Sequence, residues 1–225
     1  MKLKKDVRLL LFVGVLLLLF CLLTVLLLTV DVRPVGPLGS EVGLATLNAA
    51  VFSALGTSEV FAEIGELLGL FALLVMGGAA LFGAVSLLRV RSLRRIDRGL
   101  LLLGGSYVLL LALYLLFEVV VVNCRPILAD GALEASYPSS HTMLAVFVFL
   151  SGRLYARRYL GAQRAADIAL GATAVALSLL TALSRLLAGV HWLTDILGGL
   201  LLSLALLCFF AALLRRFDGK GRASR

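Results

Sequence analysis

His191 and Asp195 stand four residues apart, the spacing that stacks two side chains on one face of a helix. A carboxylate so placed can hold one imidazole nitrogen, fix the tautomer and leave the other nitrogen available as nucleophile or base. Taken alone, the pair also fits an interfacial histidine beside an acid that caps a helix. The run Tyr137-Pro138-Ser139-Ser140-His141 reads as a helix start, with proline followed by two hydroxyls. Its first-turn N–H groups lack intrahelical partners and attract anions, phosphate above all. The alternative there is plain serine capping, with His141 a bystander. Arg125 and Arg185 offer planar forks suited to phosphate oxygens, or else snorkel to an interface. Two Arg, two His, one Asp and a helix N-terminus, if assembled, suit phosphoryl transfer through a histidine.

The elements that must assemble them are membrane helices. Of 225 residues 61% are apolar and 15% charged, against about 45–50% and about 25% in a soluble domain, which excludes a soluble globular protein. Charge-free runs cover Leu9 to Val30, Leu67 to Leu88, Gly99 to Phe117, Ile168 to Ser184 and Ile196 to Leu214, each near the ~20 residues a bilayer core demands. A sixth run, from His141 to Gly152, is shorter but ends in Arg153, Arg157 and Arg158, which can snorkel. The expected architecture is all-α, a single domain over residues 1–225 with six transmembrane helices and both termini cytoplasmic. The positive-inside rule sets that orientation. Eighteen of the 21 Lys and Arg fall on the terminal face, which carries +14 against −6 for the other. Only Arg33, Arg125 and Arg185 remain on the outer face, and both histidines of the chain lie there too. The net charge of +8 therefore points to anionic inner-leaflet lipid and needs no nucleic acid. Three cysteines, two of them inside apolar runs, indicate neither a disulfide framework nor a metal cluster.

Three motifs in order resemble those of the type 2 phosphatidic acid phosphatase superfamily. Ser184-Arg185, His191 and Asp195 meet the third motif in full. Pro138, Ser139 and His141 match the second, with Ser140 where Gly is usual. Arg125-Pro126 match the first, but Glu118 stands where Lys is usual. The resemblance covers about residues 100–214. It implies that His191 attacks the phosphorus of a lipid phosphate, that Asp195 orients it, and that His141 protonates the leaving oxygen and then activates water. Arg125, Arg185, Ser139 and the amides near Ser140 would hold the phosphate oxygens, with neither metal nor cofactor required. The partners so implied are a lipid phosphate substrate and membrane lipids, at the outer face of a plasma membrane. Two other readings keep the same pocket: a phosphotransferase that passes the phosphoryl group to an acceptor alcohol, and a lipid-binding or transport protein attenuated by Glu118.

Glu118 exchanges a cation for an anion beside the substrate. If its helix continues through Val122, Glu118 shares a face with Arg125 and can pair with it or with Arg185. Ser140 keeps the backbone N–H and adds bulk. Glu59, Glu63 and Glu66 read as a solvated acidic stripe, with a substrate-selecting role as the alternative. The segment from Asp31 to Ser58 can form a short interfacial helix over the site entrance. Gly77-Gly78 and Gly198-Gly199 read as points of close helix packing.

Overall fold

The computed structural model describes residues 2–129, 131–160 and 163–223. Seven α-helices are present among them: α1 (Lys2–Thr29), α2 (Ala45–Leu55), α3 (Glu59–Val90), α4 (Arg98–Val119), α5 (Ser140–Leu160), α6 (Arg164–Leu187) and α7 (Leu193–Ala223). No strand occurs among the described residues. Five stretches are long and apolar enough to cross a membrane: Asp6–Thr29, Glu59–Val90, Arg98–Val119, Arg164–Leu187 and Leu193–Phe217. The sixth expected crossing, α5, forms a helix of 21 residues but is not among the five.

Its packing explains that composition. α5 touches α3, α4, α6 and α7 and buries Thr142, Met143, Val146, Phe147 and Phe149 among them, so protein rather than lipid surrounds much of its surface. The three arginines of its C-terminal half are paired, Arg157 with Asp167 at 3.2 Å. Arg153 donates to Asp167 on α6 at 2.9 Å, and both guanidinium arms of Arg158 reach Asp97, at 2.7 and 3.1 Å. Asp97 in turn caps α4 by accepting the Leu100 N–H at 2.9 Å. α1 lies along α7 and turns leucines such as Leu11 and Leu18 outward, as expected of a helix whose solvent is hydrocarbon.

The end of the bundle opposite these pairs is built on aromatic and glycine contacts. Tyr137, fully buried before α5, stacks on Phe20 of α1 with ring centroids 5.8 Å apart and shares a 2.8 Å hydrogen bond with Thr24. Gly198 of α7 lies against the same ring so closely that a Cβ would collide with it, and Gly199 abuts the Ser139 carbonyl. Gly198-Gly199 thus give the close packing read from the sequence. Gly77-Gly78 do not: a Cβ at either would meet nothing within 4 Å. Gly77 instead lines an open crevice between α3 and α4.

The expected helix in the 31–58 segment is α2. It sits against the turn that precedes α7 rather than hanging free. Asn48 is fully buried there; its amide donates to the Gly43 carbonyl and to Thr194 Oγ1, each at 2.9 Å, while its Oδ1 accepts the Thr194 N–H at 3.3 Å. Phe52 meets Trp192 with centroids 5.6 Å apart. Asn48→Leu strands these partners in a buried site and is expected to cost about 2 kcal/mol, measurable as a lowered unfolding midpoint in detergent; an unchanged midpoint would mean that the network carries no net stability.

Candidate active site

Four helix ends converge at this mouth: the C-termini of α4 and α6 and the N-termini of α5 and α7. His191 sits in the turn between α6 and α7, and Asp195 in the first turn of α7; both are buried. His191 Nδ1 lies 3.6 Å from Asp195 Oδ2, longer than a hydrogen bond. That oxygen already accepts the Trp192 N–H at 2.9 Å, which fixes the carboxylate beside the ring. The Asp195 side therefore favours a proton on Nδ1, leaving Nε2, buried and without a hydrogen-bond partner, as the free lone pair. Burial, then the charges of Arg185 and Arg125, hold His191 below the usual imidazole range, and Asp195 pulls the other way. A neutral ring is what a nucleophilic histidine needs.

The second imidazole belongs to the same assembly. Ser139 caps α5: its Oγ is 3.0 Å from Thr142 Oγ1 and 3.4 Å from the Thr142 N. Its own N–H donates to the Asp195 carbonyl at 3.0 Å, tying the start of α5 to the start of α7. Its hydroxyl is wholly buried and occupied with the cap, so the donors left at the helix start are the N–H groups of Ser140 and His141, which precede the first intrahelical bond.

The guanidinium groups come from separate elements. Arg185, in the last turn of α6, is 1% exposed. Arg125 lies in the loop after α4, held by two contacts to Glu134: the backbone N–H to carbonyl bond at 3.0 Å and the side-chain pair at 3.1 Å. That loop is pinned over the site by Trp192, whose indole N–H donates to the Cys124 carbonyl at 2.7 Å.

Glu118 departs from the sequence expectation. α4 ends at Val119, so no common helical face links Glu118 to Arg125. Arg125 pairs with Glu134 and Arg185 with Glu66, and Glu118 joins neither. It is exposed, on the rim of a cavity of about 10 Å³ that Tyr114, Ser140 and His191 also line, space for about one water.

The sequence reading missed Glu66. The stripe it belongs to is not uniformly solvated. Glu66 Oε1 accepts from Arg185 Nη1 at 2.7 Å, and Oε2 lies 3.3 Å from His141 Nε2. Glycines flank it: a Cβ at Gly65 would lie 2.8 Å from Arg185 Cδ, and one at Gly69 would collide with the His141 ring. The available signal was an ionisable residue at the edge of a membrane helix between glycines at i−1 and i+3.

A cavity of about 370 Å³ opens beside this cluster. Glu66, Ser140 and His141 stand at its polar end, and Leu70, Leu73, Leu110 and Leu111 form its apolar wall. Through Leu73 and Leu111 it meets the α3–α4 crevice, about 480 Å³, which Gly77, Gly104 and Gly105 keep open. Among the described residues no group of three or more His, Cys, Asp or Glu is arranged to hold a metal.

Residues 118–218 match the model of the PAP2 superfamily. Among solved structures, the first transmembrane PAP2 type phosphatidylglycerolphosphate phosphatase from Bacillus subtilis is similar, with a TM-score of 0.63 and 20% identity over 92% of this chain and 96% of that chain. At that identity the likeness is one of fold. No curated protein matches in sequence.

Proposed function

We propose that the chain, whose residues 118–218 match the PAP2 superfamily model, is a member of that family and a membrane phosphatase acting on a lipid phosphate or pyrophosphate. His191 Nε2 attacks phosphorus, and the bond to the lipid oxygen breaks as His141 delivers a proton to it. Water then discharges the phosphohistidine, its proton taken by His141. Arg125, Arg185 and the N–H groups of Ser140 and His141 hold the phosphoryl oxygens and stabilise the charge that spreads over them. These cations and amides do the work that a metal does elsewhere, so the reaction proceeds without one. In this reading α5 is the sixth crossing, both termini lie in the cytoplasm, and the site faces outward; the concentration of basic residues on the opposite face supports that orientation.

The observation that carries the lipid part of the reading is the 370 Å³ cavity, polar at His141 and apolar along α3 and α4. Leu70 and Leu73 on its wall are exposed on the outside of the bundle, the lipid side. An amphiphile with a phosphate at one end fits such a gradient, and its chain reaches the site from the bilayer.

Purified protein in chelator is expected to release inorganic phosphate from a panel of lipid phosphates in detergent micelles. No release from any member would refute the phosphatase, and release that chelator abolishes would refute metal independence. Glu118→Lys refines the panel. Among the described residues Glu118 has no ion-pair partner to lose, and the variant changes the rim by two charge units toward a dianionic substrate. KM for a simple phosphomonoester is expected to fall about tenfold, the effect of ~1.4 kcal/mol. An unchanged KM would place Glu118 outside the reach of the substrate's charge.

A further inference from the structure

We propose that the crevice between α3 and α4 seats the far part of the substrate's hydrocarbon chain, with Gly77 and Gly104 setting the chain length accepted. The favoured lipid phosphate then carries a chain longer than one bilayer leaflet; this rests on the phosphatase reading above. The crevice holds about 480 Å³ and shares Leu73 and Leu111 with the cavity whose polar end is Glu66, Ser140 and His141. The two spaces adjoin and make one path from the site along the α3–α4 seam. No charged side chain lines the crevice, so it receives hydrocarbon and not a headgroup. Leu93 and Ile96, in the connection between the two helices, line its far end.

Length decides what fills this path. It follows α3 from Glu66 to Leu87, about 30 Å at ~1.5 Å per residue, the full thickness of a hydrocarbon core. A chain confined to one leaflet covers about half of that and stops near Met76. Beyond it the crevice continues past Ala80 and Gly83 on one side and Gly104 on the other. Small residues on facing membrane helices ordinarily mark close packing. Here they do not: a Cβ at Gly77, Gly104 or Gly105 would meet nothing within 4 Å. α3 and α4 stay apart at these positions, and the space a side chain would take is left to a ligand. The register of the two helices follows from Gly83, where a Cβ would lie 4.0 Å from Leu100 Cγ. Gly104 is one turn nearer the site than Leu100, about level with Ala80 and about 20 Å along α3 from Glu66. A leucine at that depth stands in the way of a chain longer than a leaflet and does not meet a shorter one.

Gly104→Leu tests this, because the added side chain enters empty space and leucine favours a helix more than glycine does. Undecaprenyl phosphate and geranyl phosphate both release an allylic alcohol and differ chiefly in chain length. Wild type is expected to show the higher kcat/KM with undecaprenyl phosphate. Gly104→Leu should lower that value about tenfold, the scale of denying a chain its pocket, and leave geranyl phosphate and dipalmitoyl phosphatidic acid little changed. Comparing variant with wild type on each substrate cancels differences in how the lipids disperse in detergent. If Gly104→Leu does not yield folded protein, Gly77→Leu plugs the crevice from the facing wall, and the same preference for geranyl over undecaprenyl phosphate is expected. An equal loss on all substrates, or none on undecaprenyl phosphate, would overturn the proposal. A shift in particle mass with an effect independent of chain length would also overturn it, since a second copy of the chain would then fill the crevice. Wild type that turns over geranyl phosphate but not undecaprenyl phosphate counts against it in the same way. Wild-type protein inactive on every lipid phosphate would instead refute the phosphatase reading itself.

Discussion

His191→Gln is expected to lower turnover by about 10⁴-fold or more, the scale of removing a nucleophile from a cooperating catalytic set. Glutamine fills the space but forms no bond to phosphorus, so the acid-labile phosphoenzyme trapped from wild type by rapid quench should vanish with the activity. Turnover that survives the change would remove His191 from its role. The pH dependence checks the same assignment. His191 must be neutral to attack, and burial lowers its proton affinity, so the acid limb of kcat/KM should lie below the ordinary imidazole value of about 6.5. Protonation is then the losing direction: activity is complete above the limb and falls as pH drops through it. Asp195→Asn removes the one neighbour that raises His191. It should move the limb further toward acid while also cutting kcat, because the amide no longer selects the Nδ1 proton. A limb displaced upward in Asp195→Asn would contradict the arrangement.

Arg185, His191 and Asp195 were legible because they lie within eleven residues, on one helix end and the turn that follows it. Spacing alone nearly fixes their geometry. Ser139, Ser140 and His141 were legible as a helix start for the same local reason, although which donors remain free depended on the cap. Glu66 was not legible. It reaches the site from α3, far from every motif in the chain, and nothing in local periodicity says that one acid of a stripe turns toward a buried arginine while Glu63 stays exposed. The fate of Glu118 was hidden by a boundary: α4 ends one residue later, and a shared helical face with Arg125 disappears with it. Gly77 shows the same limit. A small residue permits either a tight contact or a gap, and only the position of the neighbouring helix decides which. α5 reversed the usual hydropathy argument, since a helix enclosed by four others can carry arginines provided that Asp97 and Asp167 meet them.

Arg185→Lys is expected to be the second most damaging change, lowering kcat/KM for a lipid phosphate by about 10²–10³-fold, the cost of losing one preorganised donor to developing charge. The charge is conserved, so the loss isolates geometry. A guanidinium can hold Glu66 with one arm and offer the other N–H groups to phosphate, and Nε of Arg185 is buried without a partner in the free protein. An ammonium carries its donors on a single atom and cannot span both positions. Deleting the charge altogether, as in Arg185→Met, also removes the partner at Glu66 Oε1, but that carboxylate is 63% exposed and stays hydrated. Both variants should therefore unfold near the wild-type midpoint while remaining impaired, the methionine variant further than the lysine one. The two measurements together separate phosphate binding from scaffolding. If lysine restores full kcat/KM, Arg185 acts only as a point charge, and the fork geometry at the end of α6 contributes nothing to the transition state.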